Sequence, residues 1–396
     1  MTRVLVPLGT RPEIVKLAPV VHALRGARLD VRVLATGQHG DDRLAGAFYR
    51  ELDVRPDARW TLPPDEAGRV GTMVERSYRE LAERRPDAVL LLGDTYTVPV
   101  FCLAARRHAV PVVHLEAGLR SFNPTSIEEV NRRVAGALAS LHLAPTDLAR
   151  RFLLAEGVEG ARVRLVGNPV VDVLRQLGVR PRPVDGRSGA VVTAHRPGNV
   201  DDSVRLEALV RLVVRVAHEV GVVTFPVHPR TRQRLEATGL VRVLERADVR
   251  LLAPLPYLDM LDLLARSRVV ITDSGGLQEE ASWFGVPVVV LRRSTPRWEG
   301  VAAGTSVLVG LDEERAVAAA ASLSRPEEQE RVAAVPCPYG DGHTSERVAE
   351  LLADPEILPL LSLEEPDLDD MPVPVPTPAA AFDSSHRAGA GARAQS

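Results

Sequence analysis

The chain has 396 residues, which is the length of two ordinary domains. Hydrophobic residues make up 45% and charged residues 26%, with a formal net charge of -3, so binding of nucleic acid through bulk positive charge is not expected. Cys102 and Cys337 lie far apart, without a Cys-x-x-Cys motif or Cys/His cluster, which disfavours a disulfide framework and a structural zinc site. The N-terminus lacks signal-peptide features and no apolar run is long enough to span a bilayer, so we expect a cytoplasmic protein without membrane association.

Short apolar runs alternate with segments of helical periodicity, which is the pattern of a parallel α/β sheet. In the first half, strands are predicted over residues 3–8, 30–35, 88–92, 110–114 and 141–144. Helices are predicted over residues 12–24, 71–83 and 126–140. In the second half, strands are predicted over residues 190–194, 222–227, 249–252, 269–272 and 286–291. Two similar halves place the expected ligand site in the cleft between them, at the carboxyl ends of the strands.

The Pro-, Gly- and Arg-rich segment 178–188 suits a linker between the halves. We therefore expect an N-terminal Rossmann-like domain over residues 1–177 and a second one over residues 189–342, followed by a helix over residues 343–354. Residues 355–396 carry acidic and Pro-rich stretches that cannot bury enough apolar surface, and they are predicted to form a disordered tail without a catalytic role.

Lys16 is the single lysine among 49 basic residues, and all the others are arginine. The bias suggests that this position needs a compact ammonium, although chance survival at a neutral site is the alternative. Arg11 and Lys16 follow the first strand, and Pro12 is placed to open a helix. The two cations would face the cleft near a helix N-terminus and could hold an anion, whereas the simpler interpretation is a turn with a solvated arginine. The segment is neither a Gly-x-Gly-x-x-Gly fingerprint nor a P-loop, which disfavours NAD and ATP.

Carboxylates follow two neighbouring predicted strands. Asp94 ends one strand, Glu116 ends the next, and Glu128 and Glu129 open the following helix. Taken singly, Asp94 could cap a helix and the two glutamates could complement a helix dipole. As a set at one cleft, they indicate groups that could move protons if burial raises the pKa of one of them.

The second half offers residues suited to phosphate and ribose. His195 closes a predicted strand and could bind phosphate or shuttle a proton, unless its ring is satisfied by backbone; His228 is a weaker candidate of the same kind. Ser274-Gly275-Gly276 form a small-residue turn that opens a helix, where backbone amides can approach a pyrophosphate. Glu280, one turn later, could accept hydrogen bonds from ribose hydroxyls. This pattern predicts nucleotide-sugar binding.

Together these segments resemble the non-hydrolysing UDP-N-acetylglucosamine 2-epimerases. The similarity covers roughly residues 1 to 350 and rests on the segments GTRPEIVKLAPV, TGQH, GDT, HLEAGLRSFN, EEVNR, GNPVVD, TAHR, FPVHPRT, TDSGGLQEEASWFGVPVVVLR and PYGDG. The resemblance implies a glycosyltransferase-B-like pair of Rossmann-type domains with parallel sheets, a homodimer, and no metal or nicotinamide cofactor.

The family's chemistry expels UDP from C1 of the sugar and removes the C2 proton, which gives 2-acetamidoglucal. UDP then adds back while C2 is protonated on the opposite face. By matching position, the resemblance implies proton transfer by Asp94, Glu116 and Glu128, with Lys16 and Arg132 nearby. It implies stabilisation of the pyrophosphate by Arg11, His195 and the helix that starts after Ser274. It implies phosphate and ribose contacts from Ser274, Gly275, Gly276 and Glu280, with Arg297 near the nucleotide.

Several positions depart from the family pattern. The usual His-Arg-x-Glu-Asn is here His195-Arg196-Pro197-Gly198-Asn199, and the usual Thr-Glu-Arg-Pro-Glu is Thr295-Pro296-Arg297-Trp298-Glu299. Met260 stands where an aromatic residue often meets the uracil region. The stretch after Gln38-His39 lacks the polar pattern that bacterial members use for a second, regulatory substrate molecule. Allosteric activation is therefore not expected, and an altered sugar or nucleotide preference is an alternative.

These observations lead to one expected activity and three alternatives. We expect interconversion of UDP-GlcNAc and UDP-ManNAc. A hydrolysing relative would release ManNAc and UDP after the first half-reaction. A glycosyltransferase of the same fold or a non-catalytic nucleotide-sugar binder would not need a proton-abstracting cluster, so the intact Asp94, Glu116 and Glu128 set argues against both.

Overall fold

The computed structural model describes residues 2–38, 49, 52–357 and 361. The segment that follows Gln38 and nearly all of the predicted tail lie outside the described residues. Both sheets described below belong to one unit, Met1–Ser362. No helix in the described part of the chain is long and apolar enough to cross a membrane.

The first sheet has seven strands, all parallel. Its strands are β1 (Arg3–Leu8), β2 (Asp30–Ala35), β3 (Ala58–Arg59), β4 (Ala88–Leu92), β5 (Val112–Leu115), β6 (Leu141–Ala144) and β7 (Val163–Leu165). The helices of this half are α1 (Arg11–Gly26), α2 (Glu66–Arg84), α3 (Thr97–Arg107), α4 (Ile127–Leu138), α5 (Asp147–Ala155) and α6 (Pro169–Leu177). The strand order is β3-β2-β1-β4-β5-β6-β7, so the order reverses beside β1, which is where ligands bind in such sheets.

The second sheet has six parallel strands. They are β8 (Ala190–Thr193), β9 (Val223–Pro226), β10 (Arg250–Leu252), β11 (Val269–Thr272), β12 (Val288–Val290) and β13 (Ser306–Leu308). The helices are α7 (Pro197–Val200), α8 (Ser203–Val220), α9 (Pro229–Ala237), α10 (Val241–Arg246), α11 (Tyr257–Arg266), α12 (Gly275–Trp283), α13 (Trp298–Ala302), α14 (Glu313–Leu323) and α15 (Pro326–Ala333). The order β10-β9-β8-β11-β12-β13 again reverses, beside β8. The expectation of two parallel-sheet α/β domains is confirmed.

Proline shortens two strands relative to the apolar runs that predicted them. The run expected over 110–114 forms a strand over Val112–Leu115, and the run expected over 286–291 forms one over Val288–Val290. Pro111 and Pro287 stand just before these strands and have no N–H to donate to a ladder. The edge strands β3, β7 and β13 have two or three residues each and were not predicted, because such short runs carry no usable periodicity.

Helix α2 begins earlier than its predicted start at residue 71. Its N-cap is Asp65, whose side chain accepts a hydrogen bond from the Gly68 N–H at 2.7 Å. This contact satisfies one of the free amides of the first turn and extends the helix to Glu66–Arg84.

A last helix, α16 (Thr344–Ala353), follows the second sheet but packs on the first. Val348, Ala349 and Leu352 lie in the same apolar core as the strands of the first sheet and α1. The buried Asp172 carboxylate of α6 accepts hydrogen bonds from the backbone N–H groups of Thr344 at 3.1 Å and Ser345 at 2.7 Å. The chain therefore returns to its first half before it ends.

Candidate active site

The single lysine contacts a carboxylate from each of the two domains. Lys16 is on α1, and its Nζ donates to Glu116 Oε1 at 2.5 Å and to Glu279 Oε2 at 2.8 Å. The lysine side chain is only 9% exposed. Burial by itself would lower the pKa of Lys16, but the two carboxylates outweigh it and raise that pKa above its usual value. The lysine is therefore a charged donor held between two acceptors.

Glu279 of α12 connects this lysine to the second domain. Its Oε1 accepts hydrogen bonds from Arg297 Nε at 2.7 Å and from Asn168 Nδ2 at 2.9 Å. The Arg297 guanidinium also lies 4.0 Å from Glu116 Oε2. Burial would raise the pKa of Glu279, yet Arg297 and Lys16 hold it below its usual range. Two cations and two carboxylates thus balance in a buried network.

Glu279 and Asn168 were not predicted as site residues. Both lie inside segments that carried the family resemblance, GGLQEE and GNPVVD, so a signal for them was present. The sequence pattern indicated the adjacent Glu280, because either glutamate lies about one turn into the helix. Only the packing of α12 shows that Glu279 faces Lys16.

Glu116 has an unusual backbone conformation. Its φ is 63°, in the left-handed region that residues with a Cβ rarely adopt. Gly93 of the neighbouring strand end faces it, and a Cβ on that glycine would lie 3.4 Å from Glu116 Oε2. Strain of this kind, on the order of 1–3 kcal/mol, is typical of functional sites. The left-handed backbone of Glu116 and the missing side chain at Gly93 allow the Glu116 carboxylate to contact Lys16.

His114 of β5 links the ends of β4 and β5. Its Nε2 pairs with the Gly93 carbonyl oxygen at 2.8 Å. Burial lowers the pKa of His114 to about 4, so its imidazole is neutral near pH 7. His114 therefore adds no positive charge beside Glu116 and Asp94.

Asp94 has its own cation. Its Oδ2 accepts from Arg132 Nη2 at 2.7 Å and from Arg132 Nε at 2.9 Å. Arg132 also donates through Nη1 to Glu129 Oε2 at 2.7 Å. Asp94 therefore does not cap a helix, and Glu129 does more than complement a helix dipole. The Asp94 side chain stays 28% exposed.

Glu128 stands on the first turn of α4, one residue before Glu129. Its Oε2 accepts from Ser126 Oγ at 2.5 Å, and its Oε1 lies 3.5 Å from Arg196 Nη1 of the second domain. Burial would raise the pKa of Glu128, but the Ser126 hydrogen bond and the Arg196 charge lower it. The three predicted carboxylates thus lie near one edge of the first sheet, each beside a different cation.

On the second domain, Asp273 organises the loop after β8. Its carboxylate lies 3.2 Å from His195 Nδ1 and accepts backbone N–H groups of His195 and Arg196 at 3.0–3.2 Å. His195 is therefore paired with a carboxylate, a contact that no local sequence pattern indicated. The His228 ring centroid lies 5.5 Å from that of His195, and its Nδ1 accepts from the Arg230 N–H.

Ser274 is the N-cap of α12, and Gly275 is its first residue. A Cβ added to Gly275 would lie 3.6 Å from the Arg297 guanidinium carbon, whereas one on Gly276 would meet open space. The first amides of a nine-residue helix therefore reach the cleft next to a buried arginine. This arrangement suits a phosphate group.

Glu280 lies one residue beyond Glu279 and has different partners. Its Oε1 accepts from the Tyr257 hydroxyl at 2.9 Å, and burial raises its pKa to about 7. The positive charge of Arg11, at the start of α1, opposes the rise in pKa that burial causes at both Glu280 and Tyr257. Residues from both domains therefore meet at this end of the cleft too.

Glu13 is a further buried carboxyl group that was not assigned a role. It accepts backbone N–H groups of Gly9 at 2.8 Å and Thr10 at 2.7 Å, and the Thr95 hydroxyl at 2.8 Å. Burial raises its pKa to about 7. Glu13 ties the loop after β1 to the loop after β4 and so supports the strand end that carries Asp94.

A family model and several known proteins match most of this chain. A family model described as UDP-N-acetylglucosamine 2-epimerase matches residues 22–353. The UDP-N-acetylglucosamine 2-epimerase of Methanocaldococcus jannaschii is 33% identical in an alignment 361 residues long that covers 87% of this chain and 97% of the relative. The UDP-2,3-diacetamido-2,3-dideoxy-D-glucuronate 2-epimerase of Pseudomonas aeruginosa is 34% identical in an alignment 364 residues long that covers 89% of this chain and 99% of the relative.

Solved structures have the same fold. The crystal structure of the M. jannaschii protein in complex with UDP-GlcNAc and UDP gives a TM-score of 0.77 at 31% identity and covers 88% of this chain and 99% of its own. The S. aureus MnaA-UDP co-structure gives a TM-score of 0.81 at 31% identity and covers 92% of this chain and 99% of its own. The chain belongs to the UDP-N-acetylglucosamine 2-epimerase family.

Proposed function

We propose that this enzyme interconverts UDP-GlcNAc and UDP-ManNAc by elimination of UDP and its re-addition. The observation that carries the proposal is the cleft itself. Asp94, Glu116 and Glu128 stand on one side, each beside a cation, and the nucleotide-binding turn at Ser274 stands on the other. Carboxylates for proton transfer and donors for a diphosphate are the groups that this reaction requires.

The second domain would hold the nucleotide. The α12 amides after Ser274, together with His195 and Arg11, would bind the diphosphate, and Glu280 would accept from the ribose hydroxyls. The M. jannaschii and S. aureus structures contain UDP, which supports a uridine diphosphate here. Arg297 would add positive charge beside the phosphates.

Elimination would begin at the anomeric carbon. The C1–O bond breaks and its electron pair leaves with UDP, while the donors around the diphosphate stabilise the negative charge that develops there. A carboxylate then removes the C2 proton, and the electrons of the C–H bond form the double bond of 2-acetamidoglucal. In the return step UDP adds to C1 and C2 receives a proton on the opposite face.

Epimerisation therefore needs one proton-transferring group on each face of C2. Asp94 and Glu116 follow different strands and pair with different cations, Arg132 and Lys16. In this proposal, the two separately held groups would serve the two faces of one bound sugar. Glu128, which contacts Ser126 and Arg196, is the third candidate.

Proton NMR with UDP-GlcNAc in deuterium oxide tests this proposal. Incorporation of deuterium at C2 as UDP-ManNAc appears is the expected result. Free ManNAc together with UDP would instead identify the hydrolysing variant. An unchanged spectrum would contradict the proposal and favour another nucleotide sugar or a transferase activity.

A second candidate substrate comes from the P. aeruginosa relative. That protein is named for UDP-2,3-diacetamido-2,3-dideoxy-D-glucuronate, and its identity to this chain, 34%, is close to the 33% of the M. jannaschii protein. The same NMR measurement with this sugar nucleotide separates the two. Faster C2 exchange than with UDP-GlcNAc would assign the diacetamido substrate.

A further inference from the structure

Three consecutive residues of the second domain contact the first domain. Arg297 lies 4.0 Å from Glu116, and Glu299 Oε1 accepts from Thr146 Oγ1 at 2.5 Å. Between them, the indole Nε1 of Trp298 donates to the main-chain oxygen of Arg120 at 2.9 Å. The first two contacts join side chains, whereas Trp298 holds the backbone of the loop between β5 and α4.

That loop carries Glu116, one of the predicted catalytic carboxylates, and contains neither a helix nor a strand. It runs from Glu116 to Ser126, and both Glu116 and Phe122 have positive φ, at 63° and 54°. Its conformation is therefore not that of a strand or helix, and side-chain contacts must hold it. The hydrogen bond from Trp298 is one such contact, and it comes from the opposite domain.

The next residue leads from this contact to Asp94. Ser121 donates to Glu129 Oε2 through its N–H at 2.7 Å and its hydroxyl at 3.0 Å. The same Glu129 oxygen accepts from Arg132, which holds Asp94. Hydrogen bonds and one peptide unit thus join the Trp298 indole to the Asp94 carboxylate.

Packing by itself does not explain this tryptophan. Trp298 is half-buried and lines a groove of about 930 Å³ with Val301, Arg292 and neighbouring residues. The ring is therefore not enclosed by a core, and its N–H makes the directed contact.

We propose that Trp298 is a positioning residue that fixes Asp94 and Arg132 through the Arg120 carbonyl when the two domains are in contact. Its catalytic consequence rests on the proposed epimerase function, whereas its effect on the loop does not. Because the residue touches neither the nucleotide-binding turn nor the carboxylates, its loss should reduce the rate of the chemical step and leave substrate binding unchanged.

The variant Trp298→Phe keeps the aromatic ring and removes the N–H. Trp283→Phe is the matched control, since Trp283 Nε1 is buried without a hydrogen-bond partner in the described part of the chain. We expect amide hydrogen exchange of residues 117–126 to become about fivefold faster in Trp298→Phe only, the effect of one ordinary hydrogen bond. We expect kcat to fall by about fivefold with KM for UDP-GlcNAc within about twofold of wild type.

Equal exchange and equal kcat in the two phenylalanine variants would overturn the proposal. A raised KM with unchanged kcat would also overturn it, because Trp298 would then serve binding. If the wild type exchanges no C2 proton in any UDP-sugar, the proposed function fails. The exchange comparison of residues 117–126 still decides whether Trp298 holds the loop.

Discussion

Lys16 Nζ and Glu279 Oε2 lie 2.8 Å apart, although 263 positions separate the two residues and they belong to different domains. Glu116 alone would leave two buried cations, Lys16 and Arg297, beside one carboxylate. An uncompensated buried charge costs several kcal/mol, so Glu279 gives the network its balance. Both domains therefore contribute a carboxylate that holds the lysine.

The first prediction concerns Glu279→Gln. Loss of this negative charge leaves Lys16 and Arg297 with Glu116 as their remaining carboxylate partner in the network. We expect kcat/KM to fall by at least about tenfold, since hydrogen bonds to charged groups contribute about 1.5–3 kcal/mol. Steady-state kinetics measure kcat/KM, and calorimetric titration measures the affinity for UDP.

The neighbouring variant Glu280→Gln provides the contrast. Glu280 contacts Tyr257 and is assigned to the ribose, so this change should weaken UDP binding more than it lowers kcat. If the two variants have the same kinetic profile, the separate roles of Glu279 and Glu280 are wrong.

The second prediction is that Lys16→Arg lowers activity although it preserves charge. Nζ fits between two carboxylate oxygens at 2.5 and 2.8 Å in a side chain that is only 9% exposed. A planar, longer guanidinium cannot take this position without displacing one of them. Activity should fall by at least about tenfold, since one charged contact is lost.

Arg79 on α2 forms an exposed ion pair with Glu75. The reverse substitution at this exposed site, Arg79→Lys, is the control and should leave the rate unchanged. Wild-type activity in Lys16→Arg would mean that the single lysine survives by chance.

The third prediction tests the proton-transfer groups. Glu116→Gln and Asp94→Asn should each abolish turnover and leave UDP affinity within about threefold, because neither residue is assigned to the nucleotide. Turnover is followed by NMR and UDP affinity by titration. Loss of UDP binding in both variants would show that these carboxylates serve the structure of the cleft.

The fourth prediction concerns pH. Burial raises the pKa of Glu280 to about 7, so the carboxylate accepts a proton as the pH falls through that value. In the proposed binding mode, protonation removes the acceptor for a ribose hydroxyl, and affinity for the nucleotide sugar should therefore fall toward low pH. Between about pH 8 and about pH 6 the expected loss is about tenfold.

Titration of UDP-GlcNAc into the Glu116→Gln variant measures this affinity without turnover. Adding Glu280→Gln to that variant should remove most of the pH dependence. Burial also raises the pKa of Glu13 to about 7. If the full pH dependence of the affinity persists, Glu13 or another group causes it, and the role assigned to Glu280 is wrong.

Much of the site could be predicted because parallel strands align their carboxyl ends. Asp94 and Glu116 each follow an apolar run, and those runs form adjacent strands, β4 and β5. Strand position therefore indicated that the two carboxylates lie close together. The same reasoning located Ser274 at the opening of a helix after β11.

The partners of these residues could not be predicted. Glu279 and Glu280 are adjacent on α12, and successive helical side chains point about 100° apart, so either could have faced the cleft. The packing of α12 directs Glu279 to Lys16 and Glu280 to Tyr257. Asp273 was also missed, since its contact with His195 spans 78 positions.

The sequence by itself determined the two parallel-sheet domains and the family, because apolar periodicity and ordered motifs are local properties of the chain. Only the tertiary structure decided which charge neutralises which, and how the domains meet. Trp298 reaches Arg120 across 178 positions, and α16 returns to the first core after the whole second sheet. Such contacts depend on how separately formed elements pack in space, which no local pattern encodes.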